Sequence, residues 1–424
     1  MSHITIIDAL MGEGKSTYAI NHINKAYKDD LLSRFHGSLE DHKFLVVVPL
    51  LEEVKRYKAQ CPNLRFVDPQ PIEGRKGLHL LKLIEEGRNI VTTHSLFLRL
   101  TKDVVETLKQ QGYTLILDEV LSCVDIYKDL KKSDWRLLQD DGLVSVDPET
   151  KNVLWQDPED APYNGKFNEF KALGLNGNIV RHRNTLLWRW PAEFLEAFKE
   201  VFIMTYMFNA SWLCAHMNAS GIGYRHMSLS QGALLPWFLG CDAEGIRRLQ
   251  RHIDVYEGPH NNIAVATRKN SNPLSGNWLK KNHKALAPEL KKSMTQICSY
   301  WAKVRSQDLM WTCYQPYKSA FKGRGYTKGF VACNAKGTND YSDRSLVCYL
   351  INLLPNPVIA TYWSDKGVSI DADQWALSEM LQWIWRSRIR KGEDIKVYIP
   401  SQRMRGLFKD WLSASNASSL ALAA

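Results

Sequence analysis

A chain of 424 residues with 45% hydrophobic content has the length for two or three domains and enough apolar side chains for sizeable cores. No stretch approaches the roughly 18 uninterrupted apolar residues of a membrane span, and the short apolar run in the opening MSHITIIDALMGEGKST reads against a secretory leader. The net charge of +10 is uneven: residues 251–424 carry 25 Lys and Arg against 13 Asp and Glu, while the first 250 carry 30 against 32, so a polyanion partner and a merely soluble basic surface are both open for the C-terminal part.

The first 120 residues alternate short apolar runs with helical stretches. Strands are expected at 4–7, 44–48, 89–93 and 114–117, with helices at 15–27 and 51–60. Runs of four or five apolar residues separated by helices indicate buried parallel strands of an α/β sheet. Residues 122–200 interrupt that rhythm as an insertion, and 142–156 (GLVSVDPETKNVLWQ) reads as a β-hairpin turning near 147–152. The rhythm returns with a strand at 201–204. Further strands are expected at 309–314, 329–333, 357–362 and 395–399, and helices at 288–304, 373–390 and 403–411. A boundary near 215 gives two α/β lobes, 1–215 and 216–412, and the small-residue tail 413–424 reads as disordered. The eight cysteines form no C-x-x-C pair, so neither a zinc site nor a disulfide framework is indicated, and scattered thiols suit a reducing cytoplasm.

Residues 9–17, Ala-Leu-Met-Gly-Glu-Gly-Lys-Ser-Thr, follow a strand and open a helix. Gly12 and Gly14 let backbone N–H groups turn inward around phosphate oxygens, with Ala9, Glu13 and Thr17 completing the loop. The helix N-terminus adds partial positive charge. Lys15 would reach the β- and γ-phosphates of ATP, and Ser16 would place its hydroxyl on Mg²⁺. About 100 residues later, TLILDEV ends an apolar strand in two carboxylates. At the C-terminal edge of a parallel sheet, Asp118 would hold the Mg²⁺ through water and Glu119 would orient or deprotonate the attacking water.

These motifs, with those between and after them, resemble the superfamily 2 (DEAD/DEAH-like) helicases, and in detail (WALSEMLQWIWRSRIRKG, YIPSQRMR) those encoded by tailed bacteriophages. The resemblance implies two RecA-like lobes flanking an ATP cleft. FLVVVPL supplies Pro49, and VTTHSLF supplies Thr92, Thr93 and His94, all on the nucleic-acid side. FIMTYMFNAS supplies Thr205 and Ser211 as the motif coupling hydrolysis to movement. NAKGTND supplies Lys336, Thr338 and Asn339 as further nucleic-acid contacts. QWIWRSRIR supplies Gln382 to the nucleotide and Arg386 and Arg390 to the γ-phosphate, the two arginines lying four apart on one expected helix face. Trp385 stands where the family has glycine, and Ile389 where it has its next arginine. The implied activity is ATP-dependent movement on single-stranded or forked nucleic acid, DNA ahead of RNA, in phage DNA replication or recombination in the host cytoplasm, with replication proteins as possible partners and no membrane. A viral packaging-type ATPase and an ATP-gated nucleic-acid-binding switch are the competing readings.

Overall fold

A computed structural model describes residues 3–36, 41–158, 162–268, 270–335 and 340–421, the last eight of these as backbone alone. The chain divides into two compact units: residues 1–6, 16–225 and 356–370 in the first, and 7–15, 226–355 and 371–424 in the second. The expected single crossing near 215 is therefore replaced by several. The loop segment 7–15 groups with the second unit, and 356–370 returns to the first.

Strands Ile4–Asp8 (its first three residues in the first unit), Glu200–Thr205, Thr114–Asp118, Phe44–Val48 and Ile90–Thr93 lie side by side in that order. The last four pair in parallel, with Met204 opposite Asp118 and Val47 opposite both Leu117 and Thr92. Every residue of ITIID, FLVVV and TLILD is buried. That is why these strands read as unbroken apolar runs instead of alternating ones. Helix Lys102–Gln111 buries Val104, Val105 and Leu108 on one face and stops at Gly112, whose φ of +67° only glycine adopts freely.

The middle segment carries the expected hairpin, Val144–Val146 against Val153–Trp155. Its turn is set by Asp147, whose Oδ1 accepts from the backbone N–H of Glu149 and Thr150 and from the Thr150 hydroxyl. Those bonds favour the ionised carboxyl and lower its pKa, the Thr150 hydroxyl most of all. A second hairpin, Ile179–His182 with Thr185–Arg189, was not foreseen; it pairs further with Val124–Ile126. Trp135, Trp155 and Phe170 fill a small core of their own there.

The second unit holds a four-stranded parallel sheet in the order Ile253–Val255, Ile395–Tyr398, Leu346–Tyr349, Leu309–Thr312. Five expectations need correction, the first being the helix expected at 288–304, which starts at Gly276, runs through Pro288 to Gln296 and gives way to a π turn at Ile297–Trp301. Residues 357–362 are a helix, Pro357–Ser364, in the first unit, because Asn356 caps it through Val358 N–H and Pro357 fits the first turn. Residues 327–329 form a 3-10 turn, and Phe330 makes an isolated bridge to Trp311 where a strand was expected. The helix assigned to 373–390 ends at Ile384, and 388–391 is a separate 3-10 turn. The tail is helical in Gln402–Ala421, a stretch with Gly406 but no proline to stop it. Among the described residues no helix is long and apolar enough to cross a membrane.

Candidate functional site

The loop after Ile4–Asp8 takes the conformation its glycines permit. Gly12 and Gly14 have φ of +86° and +82°, the left-handed region that an L side chain enters at a cost. Lys15 is buried, and its ammonium donates to the carbonyls of Ala9 at 2.5 Å and Leu10 at 3.1 Å. The cation is thus held over its own loop by main-chain oxygens. Two elements of the same unit press on the loop. Helix Ala243–Gln250 brings Arg248 to the Glu13 carboxylate, and a Cβ on Gly245 would lie 2.8 Å from Leu10. The Trp385 indole lies so close to Gly12 that a Cβ there would fall 2.7 Å from its Cζ2. Just before the loop, buried Asp8 bonds His226 Nε2 at 3.1 Å, and that imidazole stacks on Trp237.

One residue after Lys15, the Ser16 hydroxyl donates to Asp118 Oδ2 at 2.9 Å, joining residues 102 apart in sequence. The same oxygen meets the Tyr57 hydroxyl at 3.5 Å. Burial first, and the Asp118 charge second, push the Tyr57 phenol well above its ordinary range, so it stays a protonated donor. Glu119 sits at φ +69° with its N–H on the Met204 carbonyl at 2.9 Å. A non-glycine residue in that region is strained, and such strain concentrates where a side chain must be aimed. Ser16 and Asp118 form an all-oxygen donor pair of the kind a hard divalent cation takes, with water filling other positions.

The remaining expected residues fall out differently. Pro49 is half-buried in the bend before helix Leu51–Gln60. Thr92 is 1% exposed inside its strand, and His94 is buried with Nε2 at 2.8 Å from the Asp118 carbonyl. Neither presents a surface to a nucleic acid. His94 instead braces the strand end that carries the carboxylates. Thr93, half-buried, heads the short helix His94–Phe97. Thr205 is fully buried, and Ser211 caps helix Trp212–Ala219 by accepting from Cys214 N–H at 3.1 Å. Lys336, Thr338 and Asn339 lie outside the described residues. Gln382 is half-buried on helix Ala372–Ile384. Arg386 and Arg390 do not share a helix face, because the helix has ended: the Arg386 N–H turns to Trp383 O and the Ser387 hydroxyl bonds back to Ile384 O at 2.7 Å. Arg390 is exposed, Arg386 half-buried, and Arg388 is tied to the Asp394 carbonyl. Tyr57, Arg248 and the seating of Trp385 on Gly12 were not found from the sequence. Tyr57 and Arg248 lie in no motif, and Trp385, though inside QWIWRSRIR, is far in sequence from the Gly12 it meets.

Two family profiles match the chain, one described as the YonV middle domain over residues 124–189 and one as the YonV C-terminal Rossmann-like domain over 247–412. The SPbeta prophage-derived uncharacterized protein YonV of Bacillus subtilis (strain 168) is 34% identical over 427 residues, spanning 97% of this chain and 99% of that protein. Among solved structures, one titled XPD_Helicase aligns with 98% of this chain and 95% of its own at 12% identity and a TM-score of 0.44. One titled Structure of S. tokodaii Xpd4 aligns with 96% of this chain and 93% of its own at 9% identity and a TM-score of 0.47.

Proposed function

The chain belongs to the YonV family, and from that premise we propose that it hydrolyses ATP at residues 9–17 and uses the cycle to move along nucleic acid, single-stranded or forked DNA first. The observation that carries the reading is the 2.9 Å contact between the Ser16 hydroxyl and the Asp118 carboxylate at the end of a buried parallel strand. It joins the two motifs that a metal-assisted phosphoryl transfer requires. Ser16, and Asp118 through water, would hold Mg²⁺, which would neutralise charge on the phosphates.

The chain's own residues then have distinct tasks. The loop N–H groups cradle the phosphates, and Lys15 exchanges its loop carbonyls for phosphate oxygens. Glu119 orients or deprotonates the water. Of the two candidate arginines, Arg386 is favoured over Arg390, since its neighbour Trp385 is seated on Gly12. The basic excess in 251–424 supports a polyanion as partner. The prophage origin in the relative's name supports phage DNA replication or recombination as the setting, and a parallel sheet in each unit supports two RecA-like lobes as the frame.

The test is the rate of ATP hydrolysis with and without single-stranded DNA, single-stranded RNA and duplex DNA. Multi-turnover hydrolysis stimulated by single strands is expected, stronger with DNA. Hydrolysis indifferent to every nucleic acid would leave an ATPase but remove the motor. Binding to single strands should weaken by orders of magnitude between roughly 50 and 200 mM salt if several cations face phosphates.

A further inference from the structure

Away from the loop, the first unit contains a second place built for negative charge. A cavity of about 170 Å³ opens between the turn of the middle-segment hairpin, the end of strand Thr185–Arg189, helix Trp212–Ala219 and the turn after helix Pro357–Ser364. Its walls include Asn152, Arg189, Glu193, His216, Trp363 and Lys366. Two full positive charges meet one carboxylate there. Glu193 is half-exposed and lies 3.7 Å from Arg189, at the long end of an ion pair.

The buried polar atoms of these walls are what set the cavity apart. His216 is 0% exposed, and neither ring nitrogen has a hydrogen-bond partner among the described residues. Trp363 is 1% exposed with its indole N–H likewise unpartnered, and Arg189 Nε is a third such donor. Buried donors without acceptors cost stability, and native chains tolerate few. Three such N–H donors around one cavity, with the Lys366 ammonium beside them, indicate a ligand rich in acceptor oxygens, while the second imidazole nitrogen and Asn152 Oδ1 are unpartnered acceptors on the same walls. The His216 imidazole is kept neutral, its pKa lowered to about 3 by burial and then by the Arg189 and Lys366 charges. The Lys366 pKa is lowered by desolvation and then by the Arg189 charge.

We propose that this cavity binds a phosphate group, with Arg189 and Lys366 supplying charge and His216 and Trp363 supplying N–H donors. A tetrahedral oxyanion offers the several acceptor directions that this donor set needs, and guanidinium is well matched to it. The group is either inorganic phosphate or the terminal phosphate of a nucleic-acid strand, the same chemistry from two sources. The site is separate from residues 9–17, and it stands or falls independently of ATP hydrolysis.

The experiment uses the full chain carrying Lys15→Ala, so that the loop does not compete, in Mg²⁺-free buffer at pH 7. Calorimetric titration with inorganic phosphate should show one saturable site per chain. Lys366→Met, at an exposed position, and His216→Phe, which replaces the idle nitrogens with carbon, should each weaken it at least tenfold while the melting temperature holds. Absence of saturable binding, or binding unchanged by both substitutions, overturns the proposal. A parallel titration compares one oligonucleotide with and without a 5′-phosphate. A gain from the phosphate that Lys366→Met abolishes assigns the polymer end, and no gain alongside inorganic phosphate binding assigns the free ion.

Discussion

Two regions of this molecule gather cationic and N–H groups, and they differ in whether protein oxygens meet them. In the loop at 9–17 the lysine is satisfied in advance, its ammonium on two carbonyls of its own turn. In the cavity under the hairpin, Arg189 Nε, the His216 ring nitrogens and the Trp363 indole N–H have no protein partner among the described residues. The loop therefore loses little when nothing is bound and exchanges one set of oxygens for another. The cavity carries a standing cost of desolvated donors, relieved when an acceptor arrives. A self-satisfied cradle suits a ligand that comes and goes in every cycle. A strained one suits a ligand that stays.

The largest effect that would break this comparison concerns the loop. Lys15→Ala and Glu119→Gln should each slow ATP turnover by at least roughly 10²–10³-fold, about 3–4 kcal/mol of barrier, with the melting temperature little changed because the native state does not depend on a bound anion there. Near-normal turnover in either variant would remove the site from residues 9–17 and 118–119.

A middle-sized effect concerns the cavity and has a definite sign. The His216 pKa is about 3 in the folded chain against 6.5 for a free imidazole. Between those values the unfolded chain binds a proton that the native chain refuses. Stability therefore falls as pH drops from 6.5 towards 3, by up to about 1.4 kcal/mol per pH unit, and is undisturbed by this group above 6.5. Urea denaturation of wild type and His216→Phe at pH 7, 5.5 and 4.5 should show the variant gaining on the wild type at each step down. Parallel acid limbs would mean that the imidazole is not desolvated.

The smallest effect sharpens the description of the loop. Gly12→Ala forces a Cβ into a left-handed backbone and into the Trp385 indole, which should cost about 2 kcal/mol. In a Trp385→Leu background the same substitution should cost less, and the difference between the two melting shifts measures the contact. Equal shifts would leave only the backbone as the cause.

The loop was legible in the sequence and the cavity was not, for a physical reason. Ala9 to Thr17 are consecutive, so their chemistry is written locally, and the buried strand ITIID announces where they begin. The walls of the cavity come from segments near 150, 190, 216 and 363, which only folding brings together. The same contrast runs through the fold. The apolar strands of the first unit stood out because each is buried on both sides. Leu346–Tyr349 carries no flanking signal that sets it apart, and the apolar run 357–362 mimics a strand although the Asn356–Pro357 pair is a helix-start signature. The expected arginine helix failed at Ile384, where neither glycine nor proline marks a stop. There Ser387 and the Arg386 N–H turn back on the preceding carbonyls.

Glu119 sets a limit on how this family could drift. A glycine at that position would relax the φ of +69° and lift a local strain of about 1–2 kcal/mol. A lineage selected only for a sturdy chain would be free to make that exchange, and in doing so would discard the acid. If Glu119 has the water-activating role proposed above, relatives in which glycine has replaced it should be good folders that grip a triphosphate without cutting it.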